Sequence, residues 1–224
     1  MKESSFYIWA SHRRRLIDEL QEKYKDLYKG VVLDIGGRDR GLFKKPKSKV
    51  EKWIFADINE QNKPDIVLDV TNMMQIDSES IDVINAIELF EHVHDIKKGL
   101  KECHRVLKKK GLILISIPFL AQIHADPYDY QRWTYTKWQK VLKKIGFEVI
   151  KFHIMGKYFS HLSETIKDLL KAIERRPSRI GTLFLKLTHP FFNWLILFDN
   201  KEFVQNDPVL NNYHTGYFIL SRKS

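Results

Sequence analysis

Acidic residues recur in this chain at the ends of apolar runs. Val31-Val32-Leu33 leads to Asp34-Ile35-Gly36-Gly37, and Trp53-Ile54-Phe55-Ala56 to Asp57. Ile66-Val67-Leu68 leads to Asp69-Val70, and Ile81-Asp82-Val83-Ile84-Asn85-Ala86-Ile87 to Glu88-Leu89-Phe90-Glu91-His92. A buried unpaired charge costs several kcal/mol, so carboxylates gathered at strand ends fit a polar, hydroxyl-rich ligand better than they fit stability. An acidic group about twenty residues after a glycine turn, here Asp57, is placed to accept from both hydroxyls of a ribose. Gly36 and Gly37 remove the Cβ atoms that would keep a ligand from the backbone. The run Gly36-Gly37-Arg38-Asp39-Arg40-Gly41 is not the G-x-G-x-x-G dinucleotide fingerprint, and no P-loop Gly-Lys-Ser/Thr follows it.

Strands must carry these residues to one edge. Strand and helix patterns alternate, which predicts a parallel sheet with right-handed crossovers. A helix is expected over about residues 10 to 28. Another is expected near residues 95 to 108, with Ile96, Leu100, Cys103 and Leu107 near helical spacing and Lys108-Lys109-Lys110-Gly111 as its end. A fifth strand, Leu112 to Ile117, stops at Pro118. A helix from Thr136 to Ile145 ends at Gly146, Phe147 to Phe152 form a sixth strand, and Gly216 to Ser221 a terminal one. With 224 residues, 43% of them hydrophobic, the chain is globular and long enough for one α/β domain with a decorated C-terminal part. The single cysteine, Cys103, excludes an internal disulfide and a Cys-rich zinc site, points to a reducing compartment and is read as helix packing; no metal site is expected. Met1-Lys2-Glu3-Ser4 leads through Phe6-Tyr7-Ile8-Trp9 to Arg13-Arg14-Arg15 rather than into a long apolar region, so a cytoplasmic protein is expected. The net charge of +10 is spread over scattered lysines and reads as solvated surface. It also suits an anionic membrane surface or a phosphate-bearing substrate. No stripe of basic and aromatic residues tracks a strand, so nucleic acid is not the expected partner.

Leu33-Asp34-Ile35-Gly36, Asp57, Asp69-Val70, Ile81-Asp82-Val83-Ile84 leading to Glu91-His92, and Glu102-Cys103-His104-Arg105-Val106-Leu107-Lys108-Lys109-Lys110-Gly111 together resemble the class I S-adenosylmethionine-dependent methyltransferases, in their type 11-like branch. The resemblance spans roughly residues 30 to 155 and includes the terminal strand. It implies an α/β, Rossmann-like, seven-stranded, mostly parallel sheet with helices on both faces and an antiparallel last strand. It implies S-adenosyl-L-methionine as cofactor and S-adenosyl-L-homocysteine as product. Carried over residue by residue, Asp34, Gly36 and Gly37 would frame the methionine end, Asp57 would hold the ribose, and Ile58, Asp69 and Val70 would flank the adenine. Glu88 would lie near the methyl donor. Two departures stand out: Gly37-Arg38-Asp39 replaces a G-x-G step, and Lys44-Lys45-Pro46-Lys47 breaks the helix that usually follows.

Pro118 to Thr134 match a pattern that recurs in the same branch, often in proteins of glycan or cell-envelope assembly, and look like a lid over the acceptor site. His124 is the candidate base for a hydroxyl acceptor, since an imidazole titrates near neutrality. Asp129, Tyr130 and Arg132 are candidate substrate contacts. The plainer reading has His124 and Arg132 pin the loop through Asp126 or Asp129, and has His92 brace it. The expected division is an N-terminal helical extension (1–29), a cofactor-binding core (30–155), a helical apolar insertion (156–212) and the terminal strand (213–224). Leu183, Leu187, Phe191, Trp194, Leu195 and Phe198 fall on one helical face, read either as core or homodimer packing or as a peripheral membrane contact through 180–198 at the inner face of the membrane. The expected function is O-methylation of a small molecule or glycan intermediate. The alternatives are a non-catalytic scaffold that binds the cofactor, and an RNA or protein methyltransferase.

Overall fold

A computed structural model describes residues 6–37, 41–124, 128–174 and 179–224, with the side chains of 8–9, 173–174 and 179–186 left out. The chain divides into two compact units, Asp18–His153 with Tyr217–Ser224, and the residues up to Ile17 with Ile154–Gly216.

The larger unit is built on a seven-stranded sheet. Its strands are β1 (Gly30–Ile35), β2 (Val50–Asp57), β3 (Ile66–Val67), β4 (Ile81–Ile87), β5 (Leu107–Pro118), β6 (Phe147–Met155) and β7 (Gly216–Lys223), in the order β3-β2-β1-β4-β5-β7-β6. The strands from β3 to β5 pair in parallel. β7 runs against β5, because Lys223 Nζ reaches Leu107 O at 2.8 Å while the Tyr217 and Phe119 rings meet at 5.5 Å at the other end. This is the expected class I arrangement. The central strands are nearly continuous apolar runs because helices cover both faces: Val32, Leu33, Val83, Ile84 and Ala86 are fully buried. The strand order reverses between β1 and β4, which opens a crevice at their carboxyl ends.

Helix α3 (Ile96–Val106) begins at Asp95, whose carboxylate accepts from Lys98 N at 3.0 Å. It buries Leu100, Cys103 and Val106, so Cys103 is a packing residue whose thiol pKa is pushed up by burial. Helix α4 (Tyr135–Ile145) buries Trp138 against Phe90 and Trp133 and ends at Gly146, which takes the left-handed φ of 108°. The Lys108–Gly111 run does not close α3. The helix stops at Val106, and the lysines bulge from β5, whose register with β4 jumps from Ile81↔Leu107 to Val83↔Leu112. Lys108 Nζ pairs with Asp82 at 2.7 Å, and Lys110 supplies the positive φ of 62°. A lysine run before glycine has the same sequence signature whether it caps a helix or bulges from a strand.

The smaller unit holds α1 (Phe6–Trp9), the start of α2 (His12–Lys23), α5 (Tyr158–Glu174), α6 (Arg179–Ile196) and α7 (Glu202–Asn206). Buried Asp199 ties it together by accepting from the backbone N–H groups of Lys157, Phe159 and Ser160 at 2.8, 2.8 and 3.1 Å, at the start of α5. Along α6, Phe192, Leu195 and Ile196 are buried, whereas Leu187, Phe191 and Trp194 are 71%, 53% and 53% exposed. The expected single apolar face is therefore two faces; Leu183 lies outside the described side chains. No described helix is long and apolar enough to cross a membrane.

Candidate functional site

Four strand ends build one cavity of about 540 Å³, in the size range of small-ligand sites. Gly36 follows β1 with φ of 69°, and its N–H donates to Ala56 O at 2.8 Å; a Cβ there would lie 3.2 Å from the Leu89 side chain. Asp57 ends β2, accepting from Asn59 N at 2.8 Å through Oδ1 and from Asn62 Nδ2 at 3.0 Å through Oδ2. Each oxygen keeps a lone pair for a ribose hydroxyl. Ile58, 65% exposed, offers an uncovered apolar wall beside it. Asp69 accepts from Thr71 N at 2.8 Å, and buried Val70 follows. Glu88 ends β4 with φ of 55°, a conformation costing about 1–2 kcal/mol outside glycine. It is held there because its N–H donates to Ser116 O at 2.8 Å and its carboxylate accepts from Ser116 Oγ at 2.9 Å. Gly36, Asp57, Ile58, Asp69, Val70 and Glu88 all line the cavity. A carboxylate with spare lone pairs, an exposed apolar wall and a glycine-opened loop fit a nucleoside cofactor with a charged tail.

Asp34 and Gly37 are not among the lining residues. Asp34 is buried and accepts from Asn85 Nδ2 at 2.7 Å and Trp53 Nε1 at 3.0 Å, with Lys45 Nζ at 3.1 Å. Burial pushes its pKa up, against the pull of Lys45. A Cβ on Gly37 would fall 2.0 Å from Asp34 Oδ1, so this pair shapes the loop from behind. Residues 41–49 form no helix, as the Lys44-Lys45-Pro46-Lys47 run suggested, and Lys45 serves Asp34 instead. The altered step at Arg38 and Asp39 lies outside the described residues.

The segment after β5 folds over the 88–94 stretch. His92 Nδ1 donates to Tyr128 O at 2.6 Å, Tyr130 N donates to Glu91 O at 2.8 Å, and Gln131 Nε2 donates to Val93 O at 2.8 Å and His94 O at 3.0 Å. Tyr128 and Tyr130 line the cavity with exposed rings. Asp129 and Arg132 do not reach it; they pair with each other through a bidentate contact. Burial opposes charge on Asp129, but Arg132 and the His124 N–H at 3.0 Å outweigh it and hold the carboxyl below the usual range. His124 sits with Nδ1 3.6 Å from Asp129 Oδ2 and its ring 5.2 Å from that of His92, a lining residue. Asp126 lies outside the described residues. Leu89, His92, His94, Asp95 and Lys98 also line the cavity and were not singled out as ligands from the sequence. Only their position just after the fourth strand end signalled them.

Residues 49–115 match the family model described as a methyltransferase domain. No curated protein matches the sequence. The fold is shared with a SAM-dependent methyltransferase from Archaeoglobus fulgidus at 17% identity and a TM-score of 0.59, covering 94% of each chain. The cyclase SpnF matches at 13% identity and 0.57, over 94% of this chain and 80% of that one. Phosphoethanolamine N-methyltransferase 2 of Haemonchus contortus, in complex with S-adenosyl-L-methionine, matches at 13% and 0.55, over 93% of this chain and 52% of that one. Identities this low speak for the fold, and the family match covers the stretch that supplies Asp57, Asp69 and Glu88. Residues 49–115 thus match a methyltransferase domain, and the fold around them is the one this chain shares with class I, S-adenosylmethionine-dependent methyltransferases.

Proposed function

We propose that this protein transfers a methyl group from S-adenosylmethionine to a hydroxyl of a small molecule or glycan intermediate of the cell envelope. The cavity carries this reading: its carboxylate-bearing strand ends suit the cofactor, and Tyr128 and Tyr130 at its lid offer ring faces to a sugar. When bound, the sulfonium supplies a methyl group already activated for displacement. The chain therefore needs to hold the acceptor hydroxyl in line and take one proton from it. His124 is the assigned base, steadied through Nδ1 by the Gln122 carbonyl at 3.3 Å.

Exposed Leu187, Phe191 and Trp194 favour a peripheral contact with a lipid surface, which would bring the enzyme to lipid-linked acceptors. The test is calorimetric titration with S-adenosylmethionine followed by labelled methyl transfer to extracted saccharides, lipid-linked sugars and total RNA. Micromolar cofactor binding with label entering a saccharide is expected. Cofactor binding without transfer would favour a scaffold, and label in RNA would replace the acceptor assignment.

A further inference from the structure

We propose that Glu91, His92 and His124 form a site for a divalent transition metal of the zinc class, placed beside the cofactor cavity. Glu91 and His92 sit on the 3-10 turn Phe90–His92 after β4, and His124 comes from the segment after β5. One ligand atom from each lies within 4.8 Å of the others. His92 Nδ1 faces the Tyr128 carbonyl at 2.6 Å and donates to it, so in the neutral imidazole Nε2 is the lone-pair nitrogen. That atom is buried, has no hydrogen-bond partner, and lies 3.8 Å from Glu91 Oε1. A desolvated acceptor left without a donor is destabilising, and a metal ion is the partner its surroundings fit. His124 repeats the pattern: its Nδ1 faces the Gln122 carbonyl at 3.3 Å and Asp129 Oδ2 at 3.6 Å, the kind of outer contact that orients a ligating imidazole.

Two imidazoles and one carboxylate select zinc, cobalt, nickel or iron(II) over magnesium and calcium, which prefer all-oxygen sites. Three protein ligands leave a position open for water or for the acceptor oxygen. Because His92 also lines the cavity, an acceptor hydroxyl could bind the metal there and lose its proton to solvent at neutral pH. With the metal bound, His124 is its ligand and the metal takes over the part assigned above to His124 as base, which the histidine keeps only in the metal-free protein. This catalytic consequence rests on the methyl-transfer reading above, whereas metal binding does not.

The experiment uses the full chain stripped with a chelator and titrated with zinc and with cobalt(II), whose visible spectrum reports coordination. One equivalent should bind, with the intense absorption of a four- or five-coordinate cobalt site, and magnesium should not compete. His124→Ala and Glu91→Gln should each weaken zinc binding by at least about a hundredfold, beyond the ~10–100-fold cost of losing a supporting contact. His161→Ala, in the other unit, should leave it unchanged. S-adenosylmethionine titration of His124→Ala should match the parent protein and so certify folding. The site is overturned if no stoichiometric metal binds, or if binding survives unchanged in both His92→Ala and His124→Ala. Stoichiometric zinc in a protein that binds cofactor but transfers no methyl would uphold the site and overturn the transfer reading instead.

Discussion

Asp57 and Asp34 end neighbouring parallel strands and are put to opposite uses. Asp57 keeps a free lone pair on each oxygen and faces the cavity, whereas Asp34 spends its carboxylate on Asn85, Trp53 and Lys45 behind the loop. Asp57→Ala should therefore weaken S-adenosylmethionine binding by about 1.5–3 kcal/mol, the range for a charged hydrogen bond. Calorimetry on a variant with an unchanged circular dichroism spectrum checks this, and unaltered affinity would remove the ribose assignment. Gly37→Ala acts on the other carboxylate. Its methyl would collide with Asp34, and the overpacking should lower stability by about 1–3 kcal/mol in chemical denaturation. Residue types alone could flag both aspartates; which one turns outward depends on neighbours as distant in sequence as Asn85.

The lid is an element whose working parts support one another. Asp129 and Arg132 clamp its turn, and His92, Glu91 and Gln131 tie it to the stretch after β4. Arg132→Ala should lower kcat/KM for the acceptor by about a hundredfold, the usual result of a small displacement near the reacting atoms, while cofactor affinity stays within about threefold. Equal activity in the variant would show the lid to be positioned without this clamp. The join of α2 to α5 carries a pH effect. Burial first, then Lys167 and Arg15, lower the His12 pKa to about 4 despite the opposing Asp199. The unfolded chain takes up this proton near pH 6.5 and the folded one refuses it until about pH 4. The stabilisation, up to about 3 kcal/mol, is thus complete above pH 6.5 and lost as the pH falls toward 4. Glu164, whose carboxyl burial pushes up, has the opposite sign, so the comparison of parent with His12→Asn isolates the histidine. The melting temperature of the variant should fall less between pH 7 and 4.5. The lid was visible in the sequence as a cluster of aromatic, His, Asp and Arg residues with His92 as its brace, but the other tie points were not, because the hydrogen bonds between the two stretches span 36 to 39 positions.

For the protein as a whole, a net charge of +10 and an exposed Leu187-Phe191-Trp194 face together predict association with anionic vesicles. Sedimentation with such vesicles should weaken with added salt and be abolished by Trp194→Glu with Leu187→Glu. Loss of a dimer in the same variant, without any vesicle binding by the parent, would assign the face to a second copy of the chain. The alternation of strands and helices, the buried centre of the sheet and a hydroxyl-rich ligand at the strand ends could be read from the amino-acid sequence, and the cofactor class followed from the resemblance of its motifs to a known family. The first three depend on local periodicity and on glycines and carboxylates placed at strand ends, and neighbouring residues along the chain specify these. Other features arise from contacts between residues far apart in sequence. Asp34 turns behind the loop because Asn85 and Trp53 meet it there, Lys108–Gly111 bulge because β5 pairs with β4 on both sides of them, and His124 comes to lie against His92 through the fold of the lid. No spacing along the chain encodes such meetings, since chain reversals and sheet pairing create them only once the whole unit has closed.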